Sequence, residues 1–270
     1  MYRLIKFAIC VVPAALAIGV VAHGQQGATT RGASAQSPKQ AEPPFERKPY
    51  PVKGKNIPLG YKENNVPLFL RETWKIPPVE HDGALSPRHV SNANLELKLY
   101  GSPTDIDPAR GPEHGIQANG GPGIPGTGHL YTGMCERPCA MALRDKNNYV
   151  DLSGFGKIRW STRVTGLHQL HPIVKLADGT WMLGEHGDGS VADYHPTEFT
   201  LSESRWIQMD MEKVVTRGRW VEKVDLSKVD EIGFADLMPG GGHVYGGYSN
   251  LDFFEVYGKA VPRTAGASGK

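Results

Sequence analysis

The side chains best suited to chemistry are concentrated between residues 168 and 195. Imidazoles and carboxylates lie a few positions apart there, with one phenol among them. Because histidine titrates near neutral pH and carboxylates accept protons or bind cations, such a cluster can bind a polar ligand, hold a metal or transfer a proton. Its members are His168, His171, Glu185, His186, Asp188, Asp193, Tyr194 and His195.

Carbohydrate binding is a first interpretation of the polar and aromatic residues. The C–H faces of a sugar stack on aromatic rings, while its hydroxyl groups bond to carboxylates, amides and guanidinium groups. Loop tyrosines are harder to explain as core residues than tryptophans on alternating strands. The predicted ligand-binding residues are Arg144, Asp145, Asn148, Trp181, Tyr194, Tyr245 and Tyr248.

Catalysis is a second interpretation, in which a histidine or tyrosine base is paired with a carboxylate in a cleft lined by loops. The sequence contains no Gly-x-Ser-x-Gly nucleophile elbow, so no ordered triad is predicted. Whether the protein is an enzyme therefore stays open at this point. The candidate catalytic residues are His168, Glu185, His186, His195, His243 and Tyr245.

A metal site is a third interpretation of the same segment. Carboxylates and imidazoles together suit a transition metal, but no pattern such as His-Glu-x-x-His fixes their spacing. The candidate metal ligands are Glu185, His186, Asp188, Asp193 and His195.

The elements that would position these residues are strands. Leu95, Leu97 and Leu99 alternate with polar neighbours, and Ile158, Trp160, Thr162 and Val164 alternate with Arg159, Ser161 and Arg163, which is the period of a half-buried strand. Asp178-Gly179 between two apolar runs predicts a hairpin from His171 to Leu183. A single helical turn is expected at Met211–Thr216. Many short strands separated by turns favour an all-β sandwich or barrel.

The two cysteines outside the N-terminal apolar run are Cys135 and Cys139. A short spacing in an oxidising compartment favours a local disulfide. A metal site is the alternative, although two thiols alone would not complete it.

The N-terminus predicts export. Arg3 and Lys6 precede an uncharged apolar run from Phe7 to Val21, and Ala22-His23-Gly24 offers small residues for cleavage, as in a signal peptide spanning 1–24. An uncleaved anchor is the alternative, disfavoured because a span needs about 20 apolar residues. No second apolar run of this kind follows, so no membrane span is expected after cleavage. We expect a secreted or periplasmic protein.

Beyond the signal peptide, composition predicts a flexible linker at 25–66, a β-sandwich domain at 67–260 and a disordered tail at 261–270. The full chain has 30 Lys and Arg against 28 Asp and Glu, and cleavage would remove two basic residues. The mature protein is then close to neutral and shows no basic stripe, which argues against nucleic-acid binding.

An internal repeat is the most specific feature of the sequence. Val150-Asp151-Leu152-Ser153 leads to Ile158, and Val224-Asp225-Leu226-Ser227 leads to Ile232 with the same spacing. Asp and Ser side chains can bond to nearby backbone and form a turn. The repeat therefore predicts two similar turns, each with a leucine closing the core before a strand begins.

With this repeat and the closing phrase Leu251–Tyr257, the sequence resembles the galactose-binding-domain-like β-sandwich superfamily, especially CIA30-like and carbohydrate-binding-module-like jelly rolls. It is also similar to exported bacterial proteins that share the phrases at Thr132–Cys135, Lys175–Trp181 and Asp230–Phe234, a likeness that implies no activity. The resemblance implies a jelly-roll-like β-sandwich. It also implies the option of a structural calcium, with Asp188 and Asp193, or an acid near Glu255, as ligands.

Fold alone does not fix function. The favoured hypothesis is an exported protein that recognises carbohydrate or a related small polar ligand through loops at one end of the sandwich. The alternatives are an exported lyase or hydrolase with a His/Tyr/carboxylate cleft, and an envelope assembly or structural protein.

Overall fold

The computed structural model describes residues 66–76, 83–101, 115–120, 128–240 and 246–263. The predicted signal peptide, nearly all of the predicted linker, and His243 and Tyr245 lie outside these residues. Among the described residues, no helix is long and apolar enough to span a membrane.

The described chain folds as strands joined by turns, with one short 3-10 helix at Pro87–His89. The first eight strands are β1 Leu68–Glu72, β2 Gly83–Ala84, β3 Leu95–Gly101, β4 Gln117–Gly120, β5 Gly128–Tyr131, β6 Cys139–Asp145, β7 Asn148–Asp151 and β8 Lys157–Val164. The other eight are β9 Leu170–Leu176, β10 Trp181–Gly184, β11 His195–Thr200, β12 Trp206–Asp210, β13 Val215–Val221, β14 Val229–Asp236, β15 Ser249–Tyr257 and β16 Lys259–Pro262. The last strand extends past the predicted domain end at residue 260.

The strands form two antiparallel sheets. Sheet one has the order β11-β8-β15-β5-β4-β2, with β1 also pairing with β15. Sheet two has the order β13-β12-β10-β9-β14-β6-β3, with β7 pairing with β14 and β16. Along the described strands, the chain changes sheet nine times: between β2 and β3, β3 and β4, β5 and β6, β7 and β8, β8 and β9, β10 and β11, β11 and β12, β14 and β15, and β15 and β16. These crossings give the all-β, jelly-roll-like sandwich that the sequence predicted.

The core lies between the two sheets and follows from the alternating pattern. In β8, Ile158, Trp160, Thr162 and Val164 are buried, whereas Arg159 and Arg163 retain exposed surface. The Trp160 ring lies 6.1 Å from that of Phe254 in the neighbouring β15. The largest fully buried side chains include Trp160, Trp206, Phe234, Phe254, Leu130, Met141, Leu152 and Ile158.

The two repeated turns form as predicted and meet each other. Asp151 Oδ1 accepts a hydrogen bond from the backbone N–H of Ser153, and Asp225 Oδ1 accepts one from Ser227. The N–H of Leu152 donates to the carbonyl of Leu226 at 2.9 Å, and both leucines are buried. The repeat therefore closes one end of the core with two adjacent leucines.

The helical turn expected at Met211–Thr216 is wrong. Residues 211–214 form the hairpin turn between β12 and β13, because Asp210 and Val215 pair directly across it. Val214 completes the turn with a φ of 51°. By contrast, the hairpin predicted from Asp178-Gly179 is confirmed: Gly179 has a φ of 91°, and Trp181 pairs with Lys175.

Truncation of a repeat leucine should destabilise the fold. Leu152→Ala is expected to lower the free energy of unfolding by about 2–5 kcal/mol, because Leu152 is fully buried and the change leaves a cavity. Phe155→Ala, three positions later at an exposed site, is the matched control and should change it by about 0.5 kcal/mol or less. Urea unfolding followed by circular dichroism measures both. Equal, small effects in the two variants would contradict this role for the repeat.

Candidate functional site

Several connections emerge at the same end of the sandwich, here called the loop end. They are the β5–β6, β8–β9, β10–β11 and β14–β15 connections, which leave antiparallel strands on the same side. Backbone hydrogen bonds join them: Leu170 and Asp188 exchange two bonds of 3.0 Å, Thr165 N–H donates to Tyr248 O, and Val191 N–H donates to Val164 O. Most of the candidate residues lie here.

A buried carboxylate, Asp236, is at the centre of the loop end. Its Oδ2 accepts a hydrogen bond from Thr132 Oγ1 at 2.7 Å and lies 2.8 Å from His168 Nδ1, while its Oδ1 accepts one from Met238 N–H. The side chains of both His168 and Asp236 are fully buried. Burying a carboxylate is costly unless hydrogen bonds replace those to water, and Thr132, His168 and Met238 supply them to Asp236, whereas His168 Nε2 has no hydrogen-bond partner among the described residues. His168 is therefore held as an internal group.

The predicted disulfide between Cys135 and Cys139 is present. It closes the β5–β6 connection, and both cysteines are buried beside the strand that carries Asp236. Gly240 N–H donates to the carbonyl of Cys135, so the disulfide loop also contacts the start of the β14–β15 connection.

A second carboxylate, Asp188, holds a histidine at the edge of the core. Its Oδ2 accepts hydrogen bonds from Trp160 Nε1 at 2.8 Å and Thr162 Oγ1 at 2.6 Å, and its Oδ1 lies 2.9 Å from His186 Nε2. The imidazole of His186 stacks on Phe199, with 3.7 Å between ring centroids. Burial raises the pKa of Asp188, but the bonds from His186, Thr162 and Trp160 outweigh it and hold this pKa below its ordinary value.

The other predicted catalytic residues do not join a common cleft in the described part of the chain. Glu185 forms an exposed ion pair with Arg205, which lowers the pKa of this glutamate through the hydrogen bond. His195 is exposed at the start of β11, opposite Thr162. His168 and His186 belong to the two separate carboxylate clusters described above.

The described residues do not assemble the predicted metal site. Asp188 is engaged by three hydrogen-bonding side chains, and Asp193 is exposed, with its Oδ1 accepting from Tyr194 N–H. Within the described ranges, no three His, Cys, Asp or Glu side chains are grouped closely enough to hold a metal ion.

A row of polar and aromatic side chains crosses the outer face of sheet one next to the loop end. This tyrosine row consists of Tyr131, Arg163, Tyr194, Tyr248 and Asn250. Asn250 pairs with Arg163 on one side and Tyr131 on the other, and Tyr194 lies beside Arg163 because His195 pairs with Thr162. The Tyr131 and Tyr248 rings are 5.3 Å apart, and the Arg163 guanidinium is 5.8 Å from the Tyr248 ring centroid.

Three buried polar atoms of the tyrosine row have no hydrogen-bond partner among the described residues: Arg163 Nε, Tyr194 Oη and Asn250 Oδ1. The side chains other than Asn250 are half-buried. Burial raises the pKa of both Tyr131 and Tyr194 above the ordinary value of tyrosine. The phenols are therefore neutral hydroxyl groups at physiological pH, able to donate or accept a hydrogen bond.

The remaining predicted ligand residues lie away from the loop end and are occupied within sheet two. Trp181 is only 8 % exposed and packs edge-on against Tyr100, with 5.0 Å between ring centroids. Arg144 is paired with Asp230 at 2.9 Å. Asp145 Oδ1 accepts hydrogen bonds from the backbone N–H groups of residues 147 and 148, so Asp145 and Asn148 form a turn.

Of the predicted ligand residues, the structure therefore brings together Tyr194 and Tyr248, while Tyr245 lies outside the described residues. Sequence reasoning missed Tyr131, Arg163 and Asn250. The alternation of β8 places Arg163 on an outer face, but which residues flank it depends on the register of β15 and β5.

No family model matches the chain, and no curated protein matches it. Similar solved structures include the family 11 carbohydrate-binding module of the cellulosomal cellulase Lic26A-Cel5E of Clostridium thermocellum, at 11 % identity and a TM-score of 0.39 over 70 % of this chain and 99 % of that chain. The module from the same organism in complex with a β-1,3-1,4-mixed-linked tetrasaccharide shows 13 % identity and a TM-score of 0.38 over 64 % and 93 %. A glycosyl hydrolase family protein from Mycobacterium fortuitum shows 8 % identity and a TM-score of 0.35 over 71 % and 100 %. Because these TM-scores are low, the architecture described above is based on the strand registers alone.

The Asp188 cluster predicts a pH-dependent contribution to stability. Asp188→Asn should lower the free energy of unfolding at neutral pH by about 1–3 kcal/mol, because it weakens three hydrogen bonds to a carboxylate. Since the pKa of Asp188 is depressed in the fold, this contribution is present above the unfolded-state value of about 3.9 and is lost as pH falls through the folded value.

The measurement is urea unfolding of the wild type and Asp188→Asn at a series of pH values. The difference between them should narrow below about pH 4. Asp193→Asn, in the same connection but exposed, is the control and should behave like the wild type. If the difference in unfolding free energy does not change with pH, or if Asp193→Asn shows the same difference, this role of the Asp188 cluster is contradicted.

Proposed function

We propose that this protein binds carbohydrate, or a chemically related polar ligand, at the tyrosine row. The observation that supports this most directly is the combination, on one outer sheet face, of aromatic rings with polar atoms of Arg163, Tyr194 and Asn250 that have no hydrogen-bond partner in the part of the chain that the structure describes. An unmade hydrogen bond in a buried group costs about 1–3 kcal/mol, which a ligand with hydroxyl groups can recover.

The dimensions of the row suit an extended ligand. Neighbouring strands of a sheet lie about 4.8 Å apart, so the steps from Tyr194 through Arg163 and Asn250 to Tyr131 span about 14 Å. Rings lie at both ends of this span, and a guanidinium and an amide lie between them. A short oligosaccharide, with apolar faces and hydroxyl edges alternating along its length, matches this order.

We also propose that the protein works outside the cytoplasm, in a periplasmic or secreted form. The proposal rests on the N-terminal pattern of a signal peptide, with Arg3 and Lys6 ahead of the apolar run. The Cys135–Cys139 disulfide supports it, because disulfides form and persist in oxidising compartments.

A hydrolase or lyase is the second candidate, favoured by the contact between His186 and Asp188. The carboxylate lies 2.9 Å from Nε2, and the His186 side chain is 27 % exposed, so the imidazole is oriented and accessible. An imidazole held in this way can act as a general base. The stacking on Phe199 and the bonds from Asp188 to core residues equally suit a structural role.

The binding proposal predicts that Tyr131→Ala and Tyr248→Ala weaken retention on polysaccharides. Each should lose at least about tenfold in affinity, because each removes a ring from the proposed stacking surface. Phe155→Ala removes an exposed aromatic ring near the start of β8, opposite the loop end, and serves as the control. Affinity electrophoresis and a glycan array measure retention. If the wild type binds no glycan, or if the tyrosine variants bind as well as the control, the proposal fails.

The catalytic alternative predicts turnover that depends on His186. Hydrolysis or elimination products should form from polysaccharide, and the rate should rise with pH as the imidazole of His186 loses its proton. His186→Ala should abolish this rise. His195→Ala, which removes an exposed histidine nine residues further along the chain, is the control. Absence of product, or an unchanged profile in His186→Ala, would exclude this role for the His186–Asp188 pair.

A further inference from the structure

Arg163 differs from most of the arginines around it in having no acidic partner. Arg71 and Arg159 bond to Glu255, Arg144 bonds to Asp230, and Arg205 bonds to Glu185. Among the described residues, no carboxylate pairs with Arg163. Its guanidinium lies 5.8 Å from the centroid of the Tyr248 ring, and its charge lowers the pKa of Tyr194.

The position of Arg163 makes this lack of a partner costly. The side chain is half-buried and its Nε atom is inaccessible to water, yet this N–H has no acceptor among the residues that the structure describes. A guanidinium removed from water is stabilised by hydrogen bonds to an anion, and a planar carboxylate matches its fork of N–H groups. The negative charge of the nearby Asp252 acts on Tyr194, but Asp252 is already engaged in another interaction.

The neighbours of Arg163 define the rest of the ligand. Asn250 pairs with Arg163 across β8 and β15, and its Oδ1 has no hydrogen-bond partner among the described residues. Tyr194, on the other side of Arg163, lies within reach of the Asn250 side chain. A ligand that suits this surface carries a carboxylate for the guanidinium, flanked by hydroxyl groups beside Asn250 and Tyr194. The Tyr131 and Tyr248 rings add a surface for the apolar face of a ring.

From this arrangement we infer that the ligand of the tyrosine row is an acidic saccharide, in which the carboxylate of a uronic acid residue binds Arg163. The inference rests on the proposed carbohydrate-binding function and adds two points: the charge of the ligand and the residue that anchors it. Arg163 provides the charged anchor, Asn250 and Tyr194 bond to adjacent hydroxyl groups, and the two rings contact the sugar face.

The test compares each acidic glycan with its own neutral form. The full-length protein is titrated with polygalacturonate, alginate and hyaluronan, with the same polymers after chemical reduction of their carboxyl groups, and with neutral mixed-linkage β-glucan. At least one acidic polymer should bind, and carboxyl reduction should weaken that binding by about 30-fold or more, the range expected for a dominant contact. Binding should also weaken as salt rises, because salt screens charge interactions at exposed sites.

Variants at Arg163 separate charge from geometry. Arg163→Gln should weaken binding to the acidic polymer by about as much as carboxyl reduction does, with little further loss on the reduced polymer. Arg163→Lys should recover only part of the affinity, since an ammonium group does not form the two parallel bonds of a guanidinium. Arg219→Gln, at an exposed position of β13 in sheet two, is the matched control and should bind like the wild type. Thermal unfolding of each variant verifies that it is folded.

The possible failures are distinguishable. If neutral glycans bind as tightly as acidic ones and Arg163→Gln is unaffected, the acidic-saccharide inference is overturned while carbohydrate binding stands. If an acidic polymer binds equally well after its carboxyl groups are reduced, the assignment of a carboxylate is overturned. If no glycan of either set binds the wild type, the proposed function fails together with the inference.

Discussion

The burial of Asp236 is the constraint on which the loop end depends. A carboxylate without water must receive hydrogen bonds from the protein, and its donors come from three separate parts of the chain: Thr132 after β5, His168 before β9 and Met238 after β14. Two of these segments, those after β5 and β8, leave sheet one, and the segment after β14 leaves sheet two. Satisfying one buried group therefore fixes the positions of three loops. Thr132 extends the constraint to β15, since its Oγ1 accepts a hydrogen bond from Ser249 N–H.

The two sheets use their outer faces differently, and this difference places the candidate site on sheet one. On sheet two, small residues such as Ala142 and Ala235 are covered by larger side chains, including Trp181, Met211 and Val214, which form a second apolar cluster. That packing occupies Trp181, the one tryptophan among the predicted ligand residues. On sheet one, the outer face beside the loop end carries Tyr131, Arg163 and Asn250 instead, with polar atoms left unpartnered.

The fold was largely readable from the sequence because its main signals are local. The alternation in β8 and the Asp178-Gly179 turn each depend on a few adjacent residues, and both are confirmed. Met211–Thr216 was misread because a short turn has the same composition in a hairpin as in a helix. Only the pairing of Asp210 with Val215 across the sheet distinguishes them.

The candidate site was less readable because its members are brought together by register. Tyr131 and Asn250 are far apart in sequence, and nothing near either residue indicates that they are cross-strand neighbours. Residue type identified Tyr194 and Tyr248 but equally suggested Arg144 and Trp181, whose partners Asp230 and Tyr100 come from distant strands. Residue types alone can identify side chains whose chemistry suits a ligand. Whether they are available depends on contacts that only the folded chain defines.

The protonation states in the tyrosine row favour binding over chemistry at that surface. A phenol acts as a base only after it loses its proton, and burial moves the pKa of Tyr131 and Tyr194 further from neutrality. The guanidinium of Arg163 has only N–H donors and no acceptor atom, so it cannot serve as a base. The row thus offers neutral hydroxyl groups, an amide and a cation. Three of its five side chains lie on strands, and Tyr194 and Tyr248 each lie immediately before one. Groups held on strands lose little freedom when a ligand arrives, so more of the contact energy remains as affinity.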